Sequence, residues 1–77
     1  MITTLDHLKD GTIAIIHNIE GEQGVRNRLN HLGLHARDQV EVLRSGYPGG
    51  PILIKVHGIE VGIGQGLAEK IEVEVAP

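Results

Sequence analysis

Apolar and polar residues alternate in several short stretches of this chain, and a period of two is typical of β-strands with one buried face. In the last stretch, Ile71, Val73 and Val75 alternate with Glu72 and Glu74. The pattern predicts five strands, at residues 12–19, 39–44, 52–56, 59–63 and 71–75.

The first of these stretches carries apolar side chains at nearly every position. Strict alternation puts Ile13, Ile15 and Ile19 on one face and Ala14 and Ile16 on the other. We therefore expect a strand that is partly buried on both sides, as in a small barrel.

One stretch has a helical period instead. Val25, Leu29 and Leu32 recur at i, i+4 and i+7, which predicts an amphipathic helix with Leu29 and Leu32 in the core. Gly33 is expected to end it as a left-handed residue, and Leu34 to fold back against the helix end.

The first residues predict a single helical turn. Thr3 and Asp6 have the spacing of a helix cap, Leu5 and Leu8 are expected to point inward, and Gly11 ends the turn.

Glycine and proline mark the connections. Residues 45–51 are too rich in both for a helix or strand, which predicts a loop, and His57-Gly58 predicts a two-residue hairpin turn.

Five short strands joined locally predict a mainly β fold, a small and partly open barrel with one short α-helix. We expect residues 1–77 to form a single domain.

The amino-acid composition limits the classes of function that fit this chain. The chain has no cysteine, which excludes disulfides and fits a reducing cytoplasm, and no run of about 20 apolar residues that could span a membrane. A net charge of −3 with only seven Lys and Arg argues against nucleic-acid binding, as does the single aromatic residue. We expect a soluble cytoplasmic protein that does not insert into membranes.

The order and spacing of these signals resemble those of the FeoA (ferrous iron transport protein A) domain family. The resemblance covers nearly the whole chain, and its most specific residues are Arg28, Leu29, Leu32, Gly33, Leu34, Val40, Val42, Gly49, Gly50 and Pro51. It implies an SH3-like barrel that acts on FeoB, the membrane ferrous iron transporter. A similar domain ends some iron-dependent repressors, which leaves a metal-responsive module as an alternative, beside a nucleic-acid-associated SH3-like barrel.

The chain departs from the family pattern at two places. After Leu34, members usually carry a Pro-Gly turn where this chain has Ala36-Arg37, so Arg37 must adopt a positive φ or the turn must be rebuilt. Members also tend to have a basic residue near Gly64, and if that residue contacts the partner in relatives, the contact is missing here.

Five histidines raise the question of a metal site. His31 and His35 have the i, i+4 spacing of ligands on one helix face, but the expected helix end at Gly33 lies between them. Asp6, His7 and Asp10 could also converge on a cation, yet capping and surface charge explain them more simply. We predict no metal site and no cofactor.

No pattern indicates catalysis. The chain lacks cysteine, and its serine and threonine hydroxyls are not spaced with His and Asp as in a catalytic triad. The glycines at 46–50 lack the Gly-Lys-Ser/Thr ending of a phosphate-binding loop and precede a strand, so we predict a protein that is not an enzyme.

The sequence therefore predicts a docking module. We expect it to bind the FeoB-like transporter or its cytosolic domain through Arg28, Tyr47, Gly49, Gly50 and Pro51, because Tyr and Arg are enriched at interface hot spots and glycine allows close approach. An open barrel also leaves strand edges that would allow self-association.

Overall fold

A computed structural model describes residues 1–46 and 49–75 of the chain. The elements along the chain are β1 (Ile2–Thr4), a 3₁₀ helix (Leu5–His7), β2 (Ile13–Ile19), α1 (Gln23–His31), β3 (Gln39–Arg44), β4 (Ile52–Val56), β5 (Ile59–Ile63), α2 (Gln65–Ala68) and β6 (Ile71–Val75). The fold is mainly β, as predicted.

The strands form one antiparallel sheet in the order β1-β6-β2-β3-β4-β5, which curls around an aliphatic core. This is a small SH3-like β fold. The described part of the chain has six strands, so the prediction of five was wrong by one.

The additional strand is β1. Thr3 pairs with Val73 of β6, where the sequence suggested a helix cap. The single helical turn exists as the 3₁₀ helix, but it begins one residue later, after Thr4, whose hydroxyl bonds the Asp6 carboxylate. A strand of three residues is too short to display an alternation, which is why the pattern missed it.

Strand β2 has one buried face, so the expectation of partial burial on both sides was wrong. Its register shifts between Ile16 and Asn18. The shift is a β-bulge, and it moves Ile19 to the inner face with Ala14 and Ile16, all three of which are buried. Ile13 and Ile15 stay on the outer face, half exposed. The expected sharing of one face by Ile13, Ile15 and Ile19 was therefore wrong.

Helix α1 packs through Leu29, which is fully buried. Its end is a Schellman cap: the Leu34 N–H bonds the Leu29 carbonyl at 3.0 Å, the Gly33 N–H bonds the Asn30 carbonyl at 3.0 Å, and Gly33 has φ +92°. Leu34 is fully buried, as predicted. Leu32 was predicted to be a core residue but is 40% exposed, because it occupies the C-cap and the chain then turns Leu34 inward.

The hairpin between β4 and β5 turns at His57 and Gly58, as predicted. Both residues have positive φ, +54° and +77°, and they separate the paired residues Val56 and Ile59. This is the conformation of a type I′ turn, whose twist matches that of the flanking strands.

Candidate functional site

The loop between β3 and β4 is closed at its base by backbone packing. Gly46 is buried and has φ +77°, and a Cβ atom there would lie 2.6 Å from the Pro51 carbonyl oxygen and closer still to that of Gly50. No side chain fits that space. The close approach of the two ends of the loop therefore requires glycine at position 46.

The Gln65 side chain fastens the same loop from α2. Its amide nitrogen donates toward three loop carbonyl oxygens, at 3.0 Å to Gly50, 3.4 Å to Ser45 and 3.5 Å to Gly46. One amide thus bonds carbonyls from both ends of the loop and ties these ends together.

Asp10, in the segment before β2, holds the beginning of the loop. Its carboxylate accepts a hydrogen bond from the Ser45 N–H at 2.7 Å. A cleft of about 610 Å³ opens to solvent between the segment before β2 and the loop, and it is lined by Asp6, Leu8, Lys9, Asp10, Ser45, Gly46, Gly49 and Gln65.

The predicted partner-binding residues lie on two separate elements. Gly49 and Pro51 are exposed in the loop and Gly50 is partly buried there, while Arg28 is exposed on α1. Tyr47 lies outside the described residues. Among the described residues, the side-chain hydrogen bonds of the loop go to Asp10 and Gln65 and none goes to α1. The contacts made by Asp10 and Gln65 were missed from the sequence.

A second fixed turn lies between α1 and β3. Arg37 has φ +77°, and the Asp38 N–H bonds the His35 carbonyl at 3.2 Å, which are the features of a type II turn. Of the two alternatives left by the family pattern, a positive φ at Arg37 or a rebuilt turn, the structure has the first. The Ala36-Arg37 pair therefore forms a turn of the kind that a Pro-Gly pair would form without strain.

Asp38 connects this turn to the β4–β5 hairpin. One carboxylate oxygen accepts the His35 N–H at 2.9 Å, and the other lies 3.2 Å from His57 Nε2. Burial alone would raise the pKa of Asp38, but the hydrogen bonds from His35 and His57 and the charges of these residues outweigh it, so the pKa is lowered. Asp38 was not singled out from the sequence, and His57 was singled out only as a residue of the hairpin turn.

The candidate metal ligands do not come together in a cluster. His31 ends α1, whereas the His35 ring lies 3.6 Å from the Asp38 carboxylate, on the turn beyond Gly33. Asp6 bonds the Thr4 hydroxyl, while Asp10 bonds the loop. Across residues 1–46 and 49–75, no group of three or more His, Asp or Glu side chains is arranged to hold a metal ion.

Comparison with known proteins decides the family. The model of the FeoA domain matches residues 3–75, which is nearly the whole chain. This chain belongs to the FeoA domain family. A Methanocaldococcus jannaschii protein named "Putative Fe(2+) transport protein A" is 35% identical over 68 residues, which are 88% of this chain and 80% of that protein.

Solved structures agree with this assignment. The crystal structure of an iron uptake regulatory protein, FeoA, superimposes with a TM-score of 0.93 at 36% identity, covering 99% of this chain and all of that one. A manganese-dependent transcriptional repressor matches with a TM-score of 0.89 at 18% identity, over 97% of this chain and 42% of its own. The repressor shares the fold, and at this identity the likeness extends no further.

No helix within the described residues has the length and apolar character needed to cross a membrane.

Proposed function

We propose that this FeoA domain binds the cytosolic region of a FeoB-type ferrous iron transporter and modulates it through protein contacts, without catalysing a reaction. The observation that carries the proposal is the match to the FeoA domain over residues 3–75. The relatives' names connect FeoA proteins with Fe(2+) transport, so a transporter is the partner that fits best. We infer that residues 1–77 act as a single domain in the cytoplasm.

The β3–β4 loop is the core of the proposed partner surface. Contacts of Gly46 and of the Gln65 amide hold the two ends of the loop, residues 45–46 and 50–51, and ends that are already fixed lose less conformational entropy on binding. Gly49 and Pro51 are exposed at its surface and leave room for a partner's backbone. Tyr47 belongs to the proposed surface as the only aromatic residue of the chain, the type most often found at hot spots.

Arg28 extends the proposed surface to α1. It is exposed on the helix, next to the buried Leu29, and its guanidinium group can bind a partner's carboxylate with two hydrogen bonds.

The proposal is tested by measuring binding of the purified protein to the cytosolic region of the cognate transporter. We expect Tyr47→Ala and Gly50→Asp to weaken binding by about tenfold or more, as losses at hot spots do. Gly62→Asp is the matched control, because Gly62 is exposed on β5, has open space where a Cβ would be, and receives the same charge.

Circular dichroism establishes first that each variant is folded. If Gly50→Asp and Tyr47→Ala bind as tightly as the wild type, the loop is not the partner surface. If the wild type binds no cytosolic fragment of the transporter, the proposed function itself is wrong.

A further inference from the structure

Three isoleucines form an exposed apolar patch on the outer face of the sheet. Ile2 of β1 and Ile15 of β2 both pair with Glu74 of β6, so they flank it on either side. Ile13 lies two residues before Ile15 on β2 and therefore points to the same face. Ile2, Ile13 and Ile15 are 52%, 50% and 40% exposed, respectively. We call this patch the isoleucine face.

The three isoleucines do not contribute to the hydrophobic core. The inward residues of β2, which are Ala14, Ile16 and Ile19, are all buried. An outward position on a sheet with one solvated face is normally polar, and threonine has comparable β-propensity without the apolar surface. Half-exposed apolar side chains that are grouped on one face and rimmed by polar residues, as these three are around Glu74, are a feature of interaction sites.

Acidic side chains accompany the isoleucines. Glu74 lies between Ile2 and Ile15, and Glu41 of β3 pairs with Ile13. The ion pairs found among the described residues all use histidine, and neither Glu41 nor Glu74 takes part in one. Lys55 faces Glu41 from the far side, on β4. The isoleucine face is therefore apolar, with a carboxylate at Glu74 that forms no ion pair among the described residues.

We propose that the isoleucine face is a second docking surface, and that it binds a basic amphipathic segment of a protein partner. Apolar side chains of that segment would cover Ile2, Ile13 and Ile15, and its Lys or Arg side chains would pair with Glu74 and Glu41. The inference does not depend on the transporter being that partner.

The same charges disfavour other occupants. A second copy of this chain placed on the isoleucine face would bring its own Glu74 and Glu41 carboxylates against these ones as water is excluded, which is costly. An anionic membrane surface would be repelled for the same reason. A cationic, partly apolar segment is the occupant whose chemistry matches.

The test uses three synthetic peptides and nuclear magnetic resonance. The probe is a peptide of about five helical turns with leucine on one face and lysine on the other. One comparison peptide has the same composition in scrambled order, and a second has glutamate in place of lysine. We expect the probe to shift the amide signals of β1, β2 and β6, and the two comparison peptides to leave them unchanged.

Two variants and one matched control locate the contact. We expect Ile15→Thr and Glu74→Lys each to weaken binding of the probe by about tenfold. Ile59→Thr is the control, because Ile59 is 64% exposed but lies on β5, at the other edge of the sheet. Thermal unfolding of all three variants establishes that they are folded.

Several results would overturn the proposal. One is a set of shifted amides confined to α1 or to the β3–β4 loop. Another is equal weakening by Ile59→Thr and Ile15→Thr, or equal binding of the scrambled peptide. A wild-type dimer in sedimentation that Ile15→Thr converts to a monomer would assign the face to a second copy instead. These outcomes are independent of the transporter experiment, which changes only the loop.

Discussion

Two reversals of the chain, the His35–Asp38 turn and the β3–β4 loop, are held in different ways. Within the turn the side-chain bond is local, because the Asp38 carboxylate accepts the N–H of His35, three positions before it. The backbone of Arg37, at φ +77°, is also bonded to Ile16 of β2. The loop depends on distant residues, since Asp10 is 35 positions from Ser45 and Gln65 is 15 from Gly50. We therefore expect substitutions to cost less in the turn than at the base of the loop, where Gly46 lies against the backbone of residues 50 and 51.

The largest loss of stability is expected from a substitution at Gly46, at the base of the loop. Gly46→Ala adds a methyl group where carbonyl oxygens of residues 50 and 51 already lie, at a positive φ, so we expect it to lower the free energy of unfolding by about 3 kcal/mol or more. Urea unfolding measures this change.

Gly49→Ala is the matched control for that substitution. Gly49 has φ +87° but open space where the alanine methyl group would lie, so only the backbone cost of about 1–2 kcal/mol should remain. Equal losses in the two variants would mean that packing at the base of the loop does not hold it.

A substitution of Asp38 tests how the His35–Asp38 turn is held, and its expected effect on stability is smaller than that at Gly46. Asp38→Ala removes the acceptor for the His35 N–H and the contact with His57, and we expect a loss of about 1–2 kcal/mol near neutral pH. Glu60→Ala, at an exposed position on β5, is the control and should change little.

The loss at Asp38 should also depend on pH in a defined direction. The folded-state pKa of Asp38 is lowered, so its carboxylate stabilises the fold fully above the unfolded pKa of about 3.9. As the pH falls through the lower folded pKa, this contribution disappears, and wild type and Asp38→Ala should converge. A difference that stays constant down to the acid transition would contradict this role.

The difference between contacts with neighbouring residues and contacts with distant ones also explains which features could be predicted from the sequence. The cap at Gly33 and Leu34 and the His57-Gly58 hairpin follow from neighbouring residues, and the structure confirms them. The choice at Arg37 between a positive φ and a rebuilt turn was left open by the sequence. The exposure of Leu32 and the bulge in β2 depend on how the chain packs beyond each element. Gln65 reaches the loop only once α2 is in place, and no local pattern records that contact.

The exposure of the isoleucine face could not be predicted from the sequence either. The alternation in β2 identified Ile13 and Ile15 as one face, but it could not tell whether another layer covers them. The bulge that turns Ile19 inward separates the two faces, and it leaves Ile13 and Ile15 beside Glu74.

The smallest expected effect is a gain, at Arg37. Arg37→Gly removes the cost of a left-handed L-residue, about 1–2 kcal/mol, while the added freedom of glycine in the unfolded chain offsets part of it. We expect the free energy of unfolding to rise by about 0.5–1 kcal/mol in urea unfolding. Arg26→Gly makes the same change on the exposed side of α1 and should instead cost about 1 kcal/mol, since glycine weakens a helix. If both substitutions destabilise the protein equally, the strain at Arg37 is already relieved by its surroundings, and the turn depends on contacts outside itself, as the loop does.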